Sequence, residues 1–219
     1  MMFGLPDQTR VTAKDDIREV IELSPEHISY YQLTDEQNTN YFCDKSGGLP
    51  SDDEQNYIQE DCVSLLESAG YIRYEITSFS KKNFECKHNL NYFRFGDYIA
   101  VGAGAHGKFR LTKNNMIRYH KSSDPHIYMK NIISNKSSYT EKLLSNSDKI
   151  FEFMLNNLRL MSGFSIVHFE SATGLKYDTI ERKLSELNNL NLMEYYPTGY
   201  WKPTALGFKF LDNLQCEFL

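Results

Sequence analysis

The chain has 219 residues, a formal net charge of -5 at neutral pH and a hydrophobic share of 41% in which 15 Tyr and 14 Phe stand out. That composition fits a globular fold of one large domain, or one domain with a small appendage, and excludes a disordered chain. The net acidity argues against broad nonspecific nucleic-acid binding. Four widely spaced cysteines (Cys43, Cys62, Cys86 and Cys216) form neither a disulfide framework nor a C-x-x-C pair. No apolar run reaches the length of a membrane span and no signal-peptide pattern is present. The expectation is a cytoplasmic protein with reduced thiols.

In chain order, Met1-Met2-Phe3 running into "GLPDQT" reads as the end of a strand turning into a loop, a strand that begins before the chain does. Residues 12–23 are predicted helical, with Thr12 as N-cap and Ile17, Val20 and Ile21 as the apolar face. "SPEH" is a turn, and "ISYYQLTDE" (28–36) is a short β-rich strand. Strand, helix and strand within this span have the size of one βαβ unit. Residues 38–55 read as loop. A longer helix spans Asp53 to Ala69 and stops at Gly70. "YIRYEITSFS" alternates as a strand. "DYIAVGAGAH" reads as a strand with a glycine turn, and "SDPHIYMKNII" starts another helix. Ser and Asn accumulate over 132–146, which marks a linker. The expected division is therefore 1–131 and 147–219.

The second part carries three amphipathic helices: "SDKIFEFMLNNLRLM", "SIVHFESATGL" ending at Gly174, and "YDTIERKLSELNNLNL" with Ile180, Leu184 and Leu187 on one face. A hairpin with Pro197 to Gly199 at its tip and a last helix follow. Helices with a two-stranded wing describe a winged-helix module. In its would-be recognition helix, Tyr177 to Asn188, the acids Asp178, Glu181 and Glu186 balance Lys176, Arg182 and Lys183. A packing module is expected rather than a DNA reader.

Chemistry concentrates in "CKHNLNYFRFGDYIAVGAGAHG" (86–107). His88 lies two residues from Cys86, in a predicted loop. Imidazole and thiolate both ligate iron or zinc, but two donors cannot complete a tetrahedral zinc site. Haem needs only one or two axial ligands, so His88 among aromatic side chains such as Tyr92 and Phe93 suits it better. The "GAGAHG" turn lacks G-x-G-x-x-G and a following helix, so its glycines permit tight backbone geometry rather than cradle a phosphate. His27, beside Pro25-Glu26, reads as structural. Asp35-Glu36 are adjacent strand residues on opposite faces, hence a solvated strand end. The alternative is that His88 with Asn89 and Tyr92 only locks the loop.

"GLPDQT", "PEHISYYQLTDE", "GYIRYEITSFS", "CKHNLNYFRFGDYIAVGAGAHG" and "FEFMLNNLRL" come in the order of the HemW branch of the oxygen-independent coproporphyrinogen oxidase-like family, which the chain resembles over nearly its whole length. The resemblance implies an α/β (α+β) fold: the C-terminal remnant of a partial (β/α) radical S-adenosylmethionine barrel, then a small helical, winged-helix-like domain. It implies haem binding or trafficking. The family's H-N-x-x-Y-W motif reads here His88-Asn89-Leu90-Asn91-Tyr92-Phe93, with Phe93 for the closing Trp, which keeps an aromatic wall and loses the indole donor. His88 is the implied haem-iron ligand, and Asn89, Tyr92 and Phe93 the implied pocket.

Gly4, Pro6, Gln8 and Ser29 match regions lining the family's S-adenosylmethionine cleft. The C-x-x-x-C-x-x-C that holds the family's 4Fe-4S cluster does not occur in these 219 residues, so the chain alone is not expected to be catalytic. Ile17 stands where the family often has Trp, and Asn38 where it often has Gly. Implied partners are haem, haem-accepting respiratory proteins or a cluster-bearing N-terminal half chain. No nucleic acid is implied. Two other readings stand beside haem handling: half of a split radical enzyme, and an inactive relic.

Overall fold

A computed structural model describes residues 1–34, 48–112 and 115–219. Cys43, Asp35, Glu36, Asn38 and most of the loop expected over 38–55 lie outside the described residues. The chain divides into two compact units, Met1–Cys86 and Lys87–Leu219.

In the first unit, β1 (Met2–Phe3) runs through the "GLPDQT" turn into helix α1 (Arg10–Leu23). The N-cap is Thr9, not Thr12. Thr9 accepts from the Thr12 backbone N–H while the Thr12 hydroxyl answers the Thr9 N–H, a reciprocal box in which Thr12 is the third helical residue. Ala13 and Ile17, four apart, are the buried stripe of α1. The expected strand over 28–36 is two pieces. β2 (His27–Ser29) pairs antiparallel with β5 (Ser78–Ser80), and β3 (Tyr31–Gln32) pairs parallel with β1. The break at Tyr30 lets one segment serve two sheets. The parallel β1–β3 pair flanking α1 is the expected βαβ unit.

Helix α2 (Asp52–Ser68) starts at Ser51 with a Ser51–Glu54 capping box and three acids in its first turn, which suit the positive end of the helix dipole. "YIRYEITSFS" is a hairpin rather than one strand: β4 (Ile72–Glu75) turns at Ile76-Thr77 and returns as β5. The buried Glu75 carboxylate makes this corner, accepting from the Thr77 N–H at 2.9 Å and its hydroxyl at 2.5 Å. Phe3, Ile17, Ile28, Ile58, Leu66 and Phe79 are the centre of the core. Arg10 and Lys14 on α1 both reach Asp61 on α2, at 2.8 and 3.4 Å.

The second unit opens with a short helix, α3 (Lys87–Phe93). After an isolated bridge between Tyr98 and Lys108 come β6 (His106–Arg110) and β7 (Met116–Lys121), then α4 (Pro125–Ile133) with Asp124 as its cap. β8 (Tyr139–Leu143) completes an antiparallel β6-β7-β8 sheet. The Ser/Asn-rich segment read as a linker thus contains an edge strand: it pairs through its backbone, and its exposed side chains carry no hydrophobic signal.

The segment expected to be a winged-helix module contains α5 (Asn146–Asn157), β9 (Phe164–Ser165), α6 (Ile166–Thr173), α7 (Asp178–Asn189), β10 (Met193–Tyr196) and β11 (Tyr200–Pro203), ending in α8 (Ala205–Lys209) and α9 (Leu211–Cys216). The three strands form an antiparallel sheet in the order β10-β11-β9. Ile180, Leu184 and Leu187 of α7 are buried as expected, and α6 ends at Gly174 in the left-handed region. Among the described residues the strands make four small open sheets and no closed barrel.

Candidate functional site

The motif expected in a loop is helical. α3 carries His88, Asn89, Tyr92 and Phe93 on one and a half turns, so His88 and Tyr92 stack four residues apart, with Asn89 and Phe93 on the neighbouring row. His88 is exposed; Asn89, Tyr92 and Phe93 are half-buried. The helix is closed by a turn in which the Gly96 N–H reaches the Asn91 carbonyl at 2.7 Å and the Phe95 N–H reaches Tyr92 at 3.0 Å. Phe95 occupies the left-handed position (φ 62°) that usually goes to glycine. Its ring is buried edge-on against Phe153 (5.9 Å), and burial of that ring offsets the backbone cost.

Beneath α3, Tyr92 packs on Tyr98 at 5.1 Å and meets Phe93 edge-on at 5.8 Å. The Arg159 guanidinium lies over the Phe93 ring at 5.1 Å. Tyr98 accepts from Arg118, which is paired in two-pronged fashion with Glu152 at 2.7 and 2.8 Å. Burial pushes the Tyr98 phenol up against the opposing pull of Arg118. Lys108 is fully buried and has no salt bridge among the described residues. Its ammonium donates to the Phe95 carbonyl at 2.7 Å and sits 3.3 Å from the Phe95 ring centroid. Burial lowers its pKa to about 8. The site therefore combines an exposed imidazole, an aromatic floor and a rigid cationic support.

His168 of α6 lies in the same unit, its Nε2 buried without a hydrogen-bond partner among the described residues. Burial pulls its pKa down, although the Arg94 backbone works the other way. A depressed histidine pKa means that the folded state binds the proton less readily than the unfolded chain. The stability contributed is complete above the ordinary value of 6.5 and is lost as pH falls from 6.5 toward the folded value. Melting temperature measured from pH 8 to 5.5 is expected to decline through that window, with a flatter decline in His168→Gln.

The "DYIAVGAGAH" segment is not a strand beyond its Tyr98 bridge. Gly102 and Gly104 take positive φ in a turn that leads into β6. Gly107 has a steric role: a Cβ there would lie 2.3 Å from the Tyr119 ring, whose hydroxyl accepts from the Ala100 N–H at 2.7 Å. Gly107→Ala is expected to cost about 1–3 kcal/mol in the second unit by overpacking, read as a lower urea midpoint with unchanged slope.

The four residues expected from the resemblance to line a cofactor cleft, Gly4, Pro6, Gln8 and Ser29, belong to the first unit. Gln8 Oε1 accepts from the Gly4 and Leu5 N–H groups at 2.8 and 3.3 Å, so Gly4, Pro6 and Gln8 form one braced turn. Ser29 ends β2, and its side chain makes no hydrogen bond to that turn. His27 has the structural role expected of it, 2.8 Å from the Tyr74 hydroxyl, with burial lowering its pKa against the pull of Glu75. Cys86, a free half-buried thiol, closes the first unit. Among the described residues no three His, Cys, Asp or Glu gather as a metal site, and no helix is long and apolar enough to cross a membrane.

No protein-family model matches the chain. In sequence it is 40% identical over 219 residues to the heme chaperone HemW of Haemophilus influenzae and 39% identical over 222 residues to that of Escherichia coli, covering 100% of this chain in each case. It spans 56% of the length of either relative. It is 28% identical over 177 residues to the mitochondrial radical S-adenosyl methionine domain-containing protein 1 of Danio rerio, covering 78% of this chain and 40% of that protein. In structure it is similar to coproporphyrinogen III oxidase (HemN) of Escherichia coli, described as a radical SAM enzyme, with a TM-score of 0.74 over 99% of this chain and 53% of the other. At 16% identity that likeness speaks to the fold alone. Sequence similarity along the whole chain places these 219 residues with the C-terminal portion of the HemW-like family.

Proposed function

We propose that this chain handles haem as cargo, with His88 as the axial ligand and Tyr92 and Phe93 as the apolar wall beside it. The observation that carries the reading is α3 itself. It presents an imidazole without a hydrogen-bond partner among the described residues, exposed, one helical turn from an aromatic side chain whose other neighbour is Tyr98. Haem asks for one such nitrogen donor and a flat apolar surface. The name of the relatives, heme chaperone, supports the same reading. Asn89 lies beside His88 on the helix and would orient the port from its rim.

Receipt of the haem by respiratory proteins belongs to this proposal, as does a cytoplasmic location. Radical chemistry would require a 4Fe-4S cluster and S-adenosylmethionine. Gly4, Pro6, Gln8 and Ser29 would then line the cofactor cleft, and a cluster-bearing partner chain would complete it. Titration of the purified chain with haemin, followed by Soret absorbance, tests the wall. Tyr92→Ala and Phe93→Ala are expected to weaken haem binding at least about tenfold, some 1.4 kcal/mol. Unchanged affinity in both would remove α3 as the haem surface.

A further inference from the structure

Two histidines that the haem reading leaves unused face each other across the sheet of the second unit. His106 on β6 and His120 on β7 are direct register partners, with ring centroids 4.4 Å apart and planes inclined by 40°. His106 is exposed and its ring has no hydrogen-bond partner among the described residues; His120 is half-buried. The backbone around them is tightly tied. The ladder continues past the pair, with the Lys121 N–H donating to the Ala105 carbonyl and the Gly104 N–H to the Ser122 carbonyl, each at 2.8 Å. On its other side His120 is opposite Thr140 of β8, which brings no competing charge.

Directly opposed strand residues hold their Cβ atoms about 4.5–5.5 Å apart. Two imidazoles on that spacing can both reach a single ion by side-chain rotation, at the metal–nitrogen distance of about 2.0–2.1 Å typical of histidine ligands. The Ser123 hydroxyl lies 3.2 Å from His120 Nε2. Accepting that N–H, it would leave the Nδ1 lone pair free, the arrangement in which a metal-bound histidine is commonly oriented. Neutral imidazole selects borderline divalent ions, Cu(II) ahead of Ni(II) and Zn(II).

We propose that His106 and His120 form a two-imidazole binding site for a divalent transition metal. No third His, Cys, Asp or Glu joins the pair among the described residues. The remaining coordination positions are therefore open to water or to a ligand carried by the metal.

Zn(II) titration of the intact chain by calorimetry at pH 7.5, without haem, tests the site. One Zn(II) event is expected to be weakened at least about tenfold in His106→Gln and in His120→Gln, abolished in the double variant and preserved in His88→Gln. Equal Zn(II) affinity in the wild type and the double variant would overturn the proposal. Should a variant misfold by circular dichroism, electron paramagnetic resonance of Cu(II) on the wild-type chain decides. Hyperfine structure from two imidazole nitrogens is expected, and purely oxygen or sulfur coordination would contradict it. Because no haem is used, failure here leaves the haem reading standing.

Discussion

Phe153→Ala is expected to lower the stability of the second unit by about 3–5 kcal/mol, the range for deleting a fully buried aromatic ring. Phe153 is 0% exposed and meets four rings: Phe95 at 5.9 Å, Phe164 at 5.2 Å, Phe169 at 5.1 Å and His168 at 5.4 Å. One side chain of α5 thus joins the turn that closes α3, the strand β9 and the helix α6. Truncation removes the transfer energy of the ring and leaves a cavity lined by groups that cannot all collapse together. Phe153→Leu keeps most of the volume and should cost clearly less. Urea unfolding of the two variants measures the difference. Equal losses would mean that the site repacks and that Phe153 is not the joint.

Gly163→Ala is expected to cost about 2–5 kcal/mol for two independent reasons. Gly163 holds φ at +65°, where an L side chain pays about 1–2 kcal/mol. Its Cβ would also stand 2.1 Å from the Trp201 carbonyl oxygen and 2.9 Å from the Lys202 Cα, and overpacking against backbone adds about 1–3 kcal/mol. This is where the chain enters β9 alongside β11, with Phe164 paired to Trp201. Trp201 is the one tryptophan of the chain, buried, with its indole N–H donating to the Tyr177 hydroxyl at 3.2 Å. Its fluorescence therefore reports the distortion. A red-shifted emission together with the stability loss is expected, and wild-type emission with wild-type stability would contradict the clash.

Much of this architecture is legible in the residues because hydrophobic periodicity survives wherever an element buries one face. Ile180, Leu184 and Leu187 mark α7 and are its buried face, while of the apolar residues Tyr57, Ile58, Val63, Leu65 and Leu66 that mark α2, Ile58 and Leu66 are buried. Legibility failed where the decisive partner is distant in sequence. β8 is exposed along its whole length and exists because β7 offers it a ladder. "YIRYEITSFS" keeps a strand pattern through its corner because the Glu75 carboxylate, not a glycine or proline, turns the chain. Thr9 and Thr12 are both credible caps in isolation, and only the paired hydrogen bonds assign their roles.

Residue types and resemblance single out His88, Asn89, Tyr92 and Phe93, but not the helix that carries them. A helix this short has almost no periodic signal, and its exposed and half-buried face offers none. The His106–His120 pair was missed for the same reason that β6 and β7 were. Neither "HGKFR" nor "MIRYHK" alternates, and β6 buries Lys108, a residue that normally marks the solvent side.

Whether His88 ligates haem is decided by haem titration of His88→Ala beside the wild type, followed by the Soret band, with His27→Ala as a control in the other unit. A shifted Soret band is expected in the wild type and in His27→Ala, and its loss in His88→Ala. A shift of equal size and affinity in His88→Ala would contradict the assignment of α3 as the haem port.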